Sequence, residues 1–544
     1  MGQQVKLRDY QENAVQSVLS EWQAGNTKTL VVQPTGTGKT VTFSEVVRRQ
    51  VQSTGKRAMV IAHREELIYQ AAKKLRAITG IDPGIEMADQ RAHGVGFWDH
   101  PMIVCASKDT LRGRRLEKFA ASDFGCLVID EAHHSTAKSY KNIIEHFKGV
   151  PLLGVTATPD RHDEVALGNV YQSVAFDYGL ADAIRDGWLV RVRQDQITVA
   201  DLDLSNVRVT AGDLNAAELS AVLEHEKVLH EMVYPTIDIV GDRRTLIFCA
   251  SVHQAERVAE IIDRHRPGSA RSVSGTTPSD ERARIFKDFG NGEFQFLVNV
   301  GIATEGWDDP ATDGRGVQCV ALMRMTQSRS LYAQMLGRGT RPLPGVVDGD
   351  FTAEERVARI AASKKPSMLV LDYKGNAGRH QLVYASDILG GKALDEVVSK
   401  VKEKSGSFDV LEEIDIAEVE YQRKLEAARR ARVIGTAQYE RVTVDPFAHL
   451  GIAPKRVAWW FAQKPASDAQ KALLRKNGVP GVDRINMGEA KQLIDKVMGS
   501  PSEKQAKMLR RFGYDPAKYD RKGASQILGA LAANGWKRPV EVQA

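Results

Sequence analysis

The chain contains 544 residues, of which 42% are hydrophobic and 26% charged, a balance typical of a globular protein with several domains. This apolar content excludes wholesale disorder, because it is sufficient to bury real cores. No apolar run approaches the roughly 20 residues that cross a bilayer, and the first residues lack the apolar core of a signal peptide. We therefore expect no membrane partner and a location in the cytoplasm.

Cysteine content and charge narrow the possible sites. The four cysteines form no C-x-x-C pair, and each lies in or beside a short apolar run, so the sequence predicts buried thiols and no structural zinc. The net charge of +6 is unevenly distributed, since residues 451–544 hold 18 Lys and Arg against 8 Asp and Glu. This basic end favours a polyanionic partner such as nucleic acid, with a solvated basic surface as the alternative.

Short apolar runs alternate with segments of helical composition up to about residue 390. A first series of predicted strands lies at 29–32, 58–62, 102–105, 126–129 and 152–155, and a second at 245–248, 296–300, 317–322 and 368–371. Buried runs of this length followed by helices predict parallel sheets of βα units. We therefore predict an α/β fold of two tandem domains, 1–178 and 236–392, joined by a connecting segment at 179–235.

The rest of the chain is predicted to be mostly helical. An insertion at 344–366 precedes the last strand, and we expect an exposed loop or hairpin there with a short charged helix. Residues 393–450 form a helical linker, in which the Glu-, Ala- and Arg-rich stretch at 412–432 predicts a long, mostly exposed helix. Two related segments begin at Ser467 and Ser502, each with an N-cap signature and a glycine after its first helix. They predict two helical hairpins in a basic domain at 451–544.

This basic domain carries candidates for nucleic-acid contact. Aromatic residues interleaved with basic ones, Trp459, Trp460 and Phe461, would either stack on bases or form the core of a small helical domain. Basic residues at helical spacing would either bind phosphates or form a solvated face: Lys471, Arg475, Lys476, Lys507, Arg510 and Arg511.

Residues 33–40 read Gln-Pro-Thr-Gly-Thr-Gly-Lys-Thr between a predicted strand and a predicted helix. They form a variant of the phosphate loop, in which glycines let backbone N–H groups converge on phosphate oxygens at a helix N-terminus. Lys39 would reach the β- and γ-phosphates, and the Thr40 hydroxyl would bind Mg²⁺. The alternative is a glycine-rich turn that happens to carry a lysine. The predicted nucleotide-binding residues here are Pro34, Thr35, Gly36, Thr37, Gly38, Lys39 and Thr40.

Two adjacent carboxylates, Asp130 and Glu131, follow the predicted strand at 127–129. A carboxylate at the carboxyl end of a parallel strand beside a phosphate loop is suited to a metal contact. Asp130 would hold Mg²⁺, and Glu131 would orient and deprotonate the attacking water. A helix N-cap is the alternative interpretation. We consider metal ligation by His63, His133 and His134 improbable.

Eight motifs in order over residues 5–390 resemble those of the superfamily 2 helicases. They are 7–11 (Leu-Arg-Asp-Tyr-Gln), the phosphate loop, 61–67 (Ile-Ala-His-Arg-Glu-Glu-Leu), 130–133 (Asp-Glu-Ala-His), 155–159 (Val-Thr-Ala-Thr-Pro), 246–251 (Leu-Ile-Phe-Cys-Ala-Ser), 304–308 (Thr-Glu-Gly-Trp-Asp) and 334–341 (Gln-Met-Leu-Gly-Arg-Gly-Thr-Arg). The resemblance implies two RecA-like domains, with ATP and Mg²⁺ in the cleft between them. The chain looks most like the branch that contains XPB, RadD and the translocating subunits of restriction enzymes. It lacks the cysteine-rich module expected after the motor in RadD-like proteins, which argues against a RadD-specific role.

The resemblance also assigns roles to individual residues. It assigns catalysis to Glu131 and Lys39, and to Arg338 and Arg341, whose guanidinium groups would stabilise charge on the γ-phosphate when the cleft closes. The remaining nucleotide contacts it implies are Arg8, Gln11, Asp130, Gly306, Asp308 and Gln334, with Gln11 at the adenine edge. Coupling to the second domain is implied for His133, Thr156 and Thr158. Nucleic-acid contact is implied for His63, Arg64, Ser107, Ser251 and Thr304.

We therefore interpret the chain as an ATP-dependent helicase or translocase. DNA, single-stranded or forked, is preferred over RNA on the resemblance alone, and the host would be a bacterial or phage-infected cell. The alternatives are a double-strand DNA translocase or annealing motor, an RNA helicase, and a nucleic-acid-binding adaptor with a degenerate motor. A monomer is plausible, and the pathway stays open.

Overall fold

The computed structural model describes residues 6–92, 100–157, 167–210, 212–303, 307, 309–391, 393–404, 406–433, 446–450, 452, 464–499, 503–515, 519 and 521–533. The strands are β1 (Lys28–Val32), β2 (Arg57–Ala62), β3 (Gly84–Glu86), β4 (Ile103–Ser107), β5 (Phe124–Asp130), β6 (Leu152–Thr156), β7 (Ser173–Asp177), β8 (Arg191–Asp203), β9 (Val209–Thr210), β10 (Asp213–Leu214), β11 (Thr245–Phe248), β12 (Ala270–Val273), β13 (Phe296–Asn299), β14 (Cys319–Leu322), β15 (Ser367–Asn376) and β16 (Phe408–Asp409). The helices are α1 (Asp9–Gln23), α2 (Lys39–Thr54), α3 (Glu65–Thr79), α4 (Lys138–His146), α5 (Leu180–Arg185), α6 (Ala216–Leu223), α7 (Glu226–Val240), α8 (Val252–His265), α9 (Ser279–Gly290), α10 (Arg329–Gly337), α11 (Ala353–Ala361), α12 (Ala385–Leu389), α13 (Asp395–Lys402), α14 (Val410–Val433), α15 (Pro446–His449), α16 (Asp468–Lys476), α17 (Met487–Gly499), α18 (Glu503–Arg511) and α19 (Arg521–Ala533).

The first lobe is built on a seven-stranded sheet in the order β3-β4-β2-β5-β6-β1-β7. All its strand pairs are parallel. The strands are short apolar runs buried on both faces, as βα crossovers require. In the register, Asp130 of β5 lies opposite Val155 of β6, and Thr156 of β6 lies opposite Val32 of β1. The carboxyl ends of β5, β6 and β1 therefore meet at one edge of the sheet.

The second lobe is built on another seven-stranded sheet, in the order β12-β13-β11-β14-β15-β8-β16. Its pairs are parallel except for the short β16, which runs antiparallel to β8. These two sheets confirm the predicted α/β class. Strand β8 comes from the predicted connecting segment at 179–235 and pairs along β15, so that segment contributes a strand to the second sheet.

The four cysteines are all buried, which confirms the prediction of apolar environments for them. Burial raises the pKa of the Cys105, Cys126 and Cys319 thiols to about 12 and also raises that of Cys249. Such thiols stay protonated at neutral pH and serve as small apolar side chains.

The insertion at 344–366 differs from the exposed loop that the sequence predicts. It contains the expected short helix, α11, but Val347, Arg356, Ile360 and Lys365 are all buried. Helix α11 begins at a capping box formed by Thr352 and Glu355. The physical reason for the difference is that the insertion packs against other parts of the unit instead of extending into solvent.

Both seven-stranded sheets belong to one compact unit, and residues 418–544 belong to a second. Helix α14 confirms the predicted long helix, although its first turns bury Val410, Leu411 and Ile414. In the second unit, α16 packs on α17 and α18 packs on α19. Ser467 caps α16, and Gly478 and Gly513 adopt positive φ after α16 and α18.

The C-terminal hairpins therefore form as predicted. Among the basic candidates, Arg475, Lys476, Lys507, Arg510 and Arg511 are exposed, and Arg475 forms an ion pair with Asp483. Ser502, Trp459, Trp460 and Phe461 lie outside the described residues. Within the described residues, no helix combines the length and apolarity needed to span a bilayer.

Candidate active site

The phosphate loop joins β1 to α2 and holds two glycines in the left-handed region. Gly36 has φ +90° and Gly38, the residue before α2, has φ +83°. A side chain at either position would be strained, and a Cβ at Gly38 would lie 2.7 Å from Nε2 of Gln11. The N-terminus of α2 carries no side-chain cap. Its backbone N–H groups are therefore available to an anion.

Hydrogen bonds from buried polar side chains hold the phosphate loop in place. Nε2 of Gln33 and the Tyr10 hydroxyl donate to the carbonyl oxygen of Thr37, at 3.0 and 2.6 Å. The Thr37 hydroxyl donates to the Pro34 carbonyl at 2.7 Å. Thr42, on α2, donates to Oε1 of Gln33 at 3.0 Å. These buried bonds hold the loop in one conformation before any ligand binds.

The two predicted carboxylates lie at the end of β5, and both are buried. Oδ1 of Asp130 accepts a bond of 3.0 Å from the backbone N–H of Glu131. Glu131 itself has φ +50°, an uncommon conformation for a residue with a side chain. Backbone strain of this kind is concentrated at functional sites.

A chain of contacts runs from the phosphate loop through Glu131 to β6. Nζ of Lys39 lies 3.4 Å from Oε1 of Glu131, with both side chains almost fully buried. Nδ1 of His133 lies 3.5 Å from Oε2 of Glu131 and 3.3 Å from Oγ1 of Thr156. The structure thus brings together Lys39, Glu131, His133 and Thr156, whereas Thr158 lies outside the described residues.

The arginines at 338 and 341 follow α10 of the second lobe and face the phosphate loop of the first. A Cβ at Gly36 would lie 3.2 Å from Cγ and 3.4 Å from Nε of Arg341. A Cβ at Gly337 would similarly lie 2.7 Å from Cβ of Thr35. Close packing of the two lobes therefore depends on glycine on both sides.

Both arginines line a cavity of about 180 Å³ that also contacts Arg8, Gly36 and Lys365. Arg338 donates to the carbonyl oxygen of Trp307. The buried Lys365 donates to the carbonyl oxygen of Arg341 at 2.7 Å. Burial lowers the pKa of Arg341 to about 10, so its guanidinium is still charged at neutral pH.

Gln334, buried on α10, belongs to the same helix. Thr40 is the second residue of α2 and is partly buried. Gly306 and Asp308 lie outside the described residues.

The predicted adenine contacts lie at the start of α1. Nε2 of Gln11 donates to the Thr37 carbonyl at 3.0 Å, and its Oε1 accepts from the Arg8 N–H at 3.0 Å. These bonds use one of the two amide donors and one of the two acceptor positions. The Arg8 guanidinium lies 4.3 Å from the ring centroid of Trp188.

The described residues assigned to nucleic acid lie at or just after the carboxyl ends of parallel strands in both lobes, and Ser107 ends β4 opposite Ala62, the last residue of β2. His63 and Arg64 lie between β2 and α3, where the His63 ring is 4.5 Å from that of His134 and Arg64 donates to the Gly301 carbonyl at 3.1 Å. Ser107 ends β4, and its Oγ accepts from the Asp109 N–H at 3.3 Å. Ser251 caps α8. Thr304 lies outside the described residues.

Sequence reasoning missed Trp188, Lys365 and Arg356, which are buried around the same cleft. Two guanidinium groups within 4.3 Å of one tryptophan ring centroid leave no signal in local spacing, because Arg8, Trp188 and Arg356 come from distant segments. Tyr10 was visible only as part of the motif at 7–11. The described parts of the chain contain no cluster of three or more His, Cys, Asp or Glu side chains able to hold a metal.

Comparison with known proteins agrees with this geometry. Residues 4–161 match the family described as type III restriction enzyme, res subunit, and residues 224–342 match the helicase conserved C-terminal domain. The chain is 33% identical over 352 residues to the putative ATP-dependent helicase IRC3 of Saccharomyces cerevisiae, covering 62% of this chain and 49% of that protein. It is 24% identical over 347 residues to the DNA 3'-5' translocase XPB2 of Sulfurisphaera tokodaii, covering 56% of this chain and 73% of that protein.

The fold agrees with the same relatives. A fragment of a putative HsdR subunit of a type I restriction enzyme from Vibrio vulnificus YJ016 superposes with a TM-score of 0.52 at 19% identity, covering 73% of this chain and 67% of that chain. The chain spans about half the length of the curated relatives that it matches at 30% identity or more. The chain therefore carries the type III restriction enzyme res-subunit domain and the helicase conserved C-terminal domain in tandem, and the proteins that it matches are helicases and translocases.

Proposed function

We propose that the chain is an ATP-dependent motor that hydrolyses ATP between its two lobes and uses the cycle to move along DNA. One observation carries this proposal: Arg341 of the second lobe packs directly on Gly36 of the phosphate loop. The first lobe would bind the triphosphate, and a guanidinium from the second lobe would complete the site at which the γ-phosphate is cleaved. Hydrolysis becomes linked to closure, because Arg341 reaches a phosphate only when the lobes meet.

The residues present fit a magnesium-bound triphosphate. The uncapped start of α2, Lys39 and Arg341 offer positive potential, and the two left-handed glycines leave space that a Cβ would fill. The hydroxyl of Thr40 and the carboxylate of Asp130 are the hard oxygen ligands that Mg²⁺ prefers. When bound, Mg²⁺ would neutralise charge on the β- and γ-phosphate oxygens.

Glu131 is our candidate for the base that orients the attacking water and accepts its proton. Its buried carboxylate is held between Lys39 at 3.4 Å and His133 at 3.5 Å. Arg341 and Arg338 would stabilise the charge that develops on the γ-phosphate oxygens. His133 also contacts Thr156 at 3.3 Å, so a change at Glu131 can be transmitted to the adjacent strand end.

DNA is the proposed track, in single-stranded or forked form. The similarity to a DNA 3'-5' translocase supports DNA, and the basic excess at 451–544 supports a polyanionic partner. We propose that His63, Arg64, Ser107 and Ser251 lie along this track.

The decisive experiment measures phosphate release by the purified chain without nucleic acid and with single-stranded DNA, duplex DNA, forked DNA or RNA, at one fixed salt concentration. Stimulation by single-stranded or forked DNA, accompanied by strand separation of the fork, is expected. Stimulation by duplex DNA without strand separation would instead favour a translocase or annealing motor, and stimulation by RNA alone an RNA helicase. Absence of hydrolysis on every substrate would favour an adaptor and refute the proposal.

Substitutions distinguish the proposed general base, Glu131, from the residues that bind ATP. Glu131→Gln should lower stimulated hydrolysis by about 10²–10⁴-fold, because an amide cannot accept the proton. Lys39→Ala should abolish hydrolysis and also weaken ATP binding, whereas the exposed-surface variant Glu117→Gln should retain both. Full activity in folded Glu131→Gln protein would remove Glu131 from the mechanism.

A further inference from the structure

The insertion at 344–366 contacts Trp188 and also Arg8, which lies three residues before Gln11, the predicted adenine contact. The Arg356 guanidinium, on α11, lies 3.8 Å from the ring centroid of Trp188. The Arg8 guanidinium lies 4.3 Å from the same centroid. Trp188 therefore contacts one arginine from the start of α1 and a second from the insertion.

Arg356 is held in place by several independent contacts. Its side chain is 7% exposed, its Nε donates to the carbonyl oxygen of Asp186 at 2.8 Å, and it also donates to the carbonyl oxygen of Phe351. Gly187, with φ +69°, allows the approach, because a Cβ there would lie 2.7 Å from Cβ of Arg356. Because its guanidinium is buried and hydrogen-bonded, Arg356 is a structural part of this contact and not a charge exposed to solvent.

Opposite charges extend the same contact. A carboxylate oxygen of Asp348 lies 3.9 Å from the Arg8 guanidinium, and Asp350 forms an ion pair with Lys6. The insertion thus faces the segment at 6–8 with two acids against two bases. The backbone N–H of Arg8 also donates to Oε1 of Gln11, whose Nε2 donates to the Thr37 carbonyl of the phosphate loop.

We propose that Arg356 is a positioning residue for base recognition, which holds Trp188 against Arg8 and so fixes the Arg8 guanidinium for an adenine base. This inference rests on the proposed function, since it concerns the base end of the same nucleotide site. A planar guanidinium recognises a base only in a fixed orientation, and stacking on a locked aromatic ring removes its rotational freedom. The insertion then makes selection of the base depend on the second lobe, which carries α11.

The test compares Arg356→Ala with Arg359→Ala, a matched arginine on the same helix that stacks on Phe351 within the insertion. Binding is measured by displacement of a fluorescent ADP with ATP, GTP and CTP, and hydrolysis by KM and kcat for each nucleotide. Arg356→Ala should weaken ATP binding and raise KM by about tenfold, the scale of a desolvated cation–π contact. Its kcat should stay within about threefold, and its preference for ATP over GTP should fall. Arg359→Ala should leave binding, KM and preference unchanged.

A second variant keeps the proposal testable if Arg356→Ala does not fold. Arg356→Lys keeps a cation near Trp188 but lacks the planar fork, so it should shift KM and base preference in the same direction by a smaller factor. If both folded variants bind ATP and discriminate GTP like the wild type, the inference is wrong, while DNA-stimulated hydrolysis by the wild type would leave the proposed function standing. If the wild-type chain binds none of the nucleotides, both proposals fall.

Discussion

The two lobes each contain a helix that starts just after a parallel strand, and the two helix starts differ in chemistry. Helix α2 of the first lobe begins after Gly38 in the left-handed region, with no side-chain cap. Helix α8 of the second lobe begins at Ser251, whose Oγ accepts from the Gln254 N–H at 3.0 Å. The Gln254 side chain in turn accepts from the Ala250 N–H at 2.7 Å. The start of α2 has no side-chain cap, as the proposed phosphate site requires, whereas the start of α8 is capped within the lobe.

The carboxylates of the two lobes show the same contrast. Asp130 and Glu131, at the end of β5, lie beside Lys39 of the phosphate loop. Asp372 of β15 is buried inside the second lobe, where the Tyr332 hydroxyl donates to both its oxygens at 2.9 and 2.8 Å and Gln194 donates at 2.8 Å. Similar βα units thus place carboxylates at the proposed ligand site in one lobe and in an internal hydrogen-bond network with α10 in the other. The residues at the strand ends decide which.

The largest effect is expected when the second lobe no longer supplies its arginine to the proposed site. Arg341→Ala should lower DNA-stimulated ATP hydrolysis by about 10³–10⁵-fold, the usual range for an arginine supplied to phosphoryl transfer. ATP binding should change only a few-fold, because the first lobe supplies most of the contacts. Single-turnover hydrolysis and equilibrium ATP binding check this. Arg264→Ala, an exposed arginine paired with Glu260 on α8, should match the wild type. Equal loss in both variants would contradict the assignment.

A smaller effect is expected from a substitution that places a side chain at the N-terminus of α2. Gly38→Ala places a methyl group at φ +83° and 2.7 Å from Gln11, so ATP affinity should fall by about 10- to 100-fold from backbone strain alone. Gly55→Ala is the matched control, because Gly55 follows the other end of α2 at φ +66° with open space around it. It should reduce stability but leave ATP affinity unchanged. If Gly38→Ala binds ATP normally, the bare helix start is not the phosphate site.

The internal carboxylate predicts a pH dependence of stability. Burial raises the pKa of Asp372 to about 7 from an ordinary value of 3.8. The folded protein therefore holds the proton more tightly than the unfolded chain, and this stabilisation is complete below about pH 4 and is lost as the pH rises to 7. Relative to Asp372→Asn, the free energy of unfolding of the wild type should decline by about 2 kcal/mol between pH 5 and 8. Urea unfolding of both proteins at each pH measures the difference.

Asp238→Asn, at an exposed position on α7, is the control for that series. Its difference from the wild type should stay constant over the same pH range. A constant difference for Asp372→Asn as well would show that Asp372 is ionised in the folded state throughout.

The smallest effect concerns the capped helix start. Ser251→Ala removes the acceptor for the Gln254 N–H and should lower the free energy of unfolding by about 1 kcal/mol. ATP binding in the absence of DNA should not change, because α8 is not part of the phosphate site. Thermal unfolding and ATP titration check the two statements. A loss of ATP affinity in Ser251→Ala would contradict the statement that only the N-terminus of α2 belongs to the phosphate site.

Local sequence was sufficient to predict much of the two lobes. The phosphate loop, the carboxylates after β5 and the strand series were predictable because each depends on a few neighbouring residues: glycines that need positive φ, a lysine at a helix start, short apolar runs. The C-terminal hairpins were predictable for the same reason, from capping residues and glycines at fixed positions. The burial of the insertion at 344–366 was not, since charged composition indicates solvent unless a partner for Arg356 is known.

The sequence by itself determined the phosphate-loop motif, the two carboxylates after β5 and the approximate positions of the short apolar strands, because each depends on a few neighbouring residues. Only the tertiary structure decided that Arg341 contacts Gly36 and that Arg8, Trp188 and Arg356 meet, since contacts between residues far apart in the chain depend on how the two sheets pack. That packing leaves no periodic signal in the residues themselves.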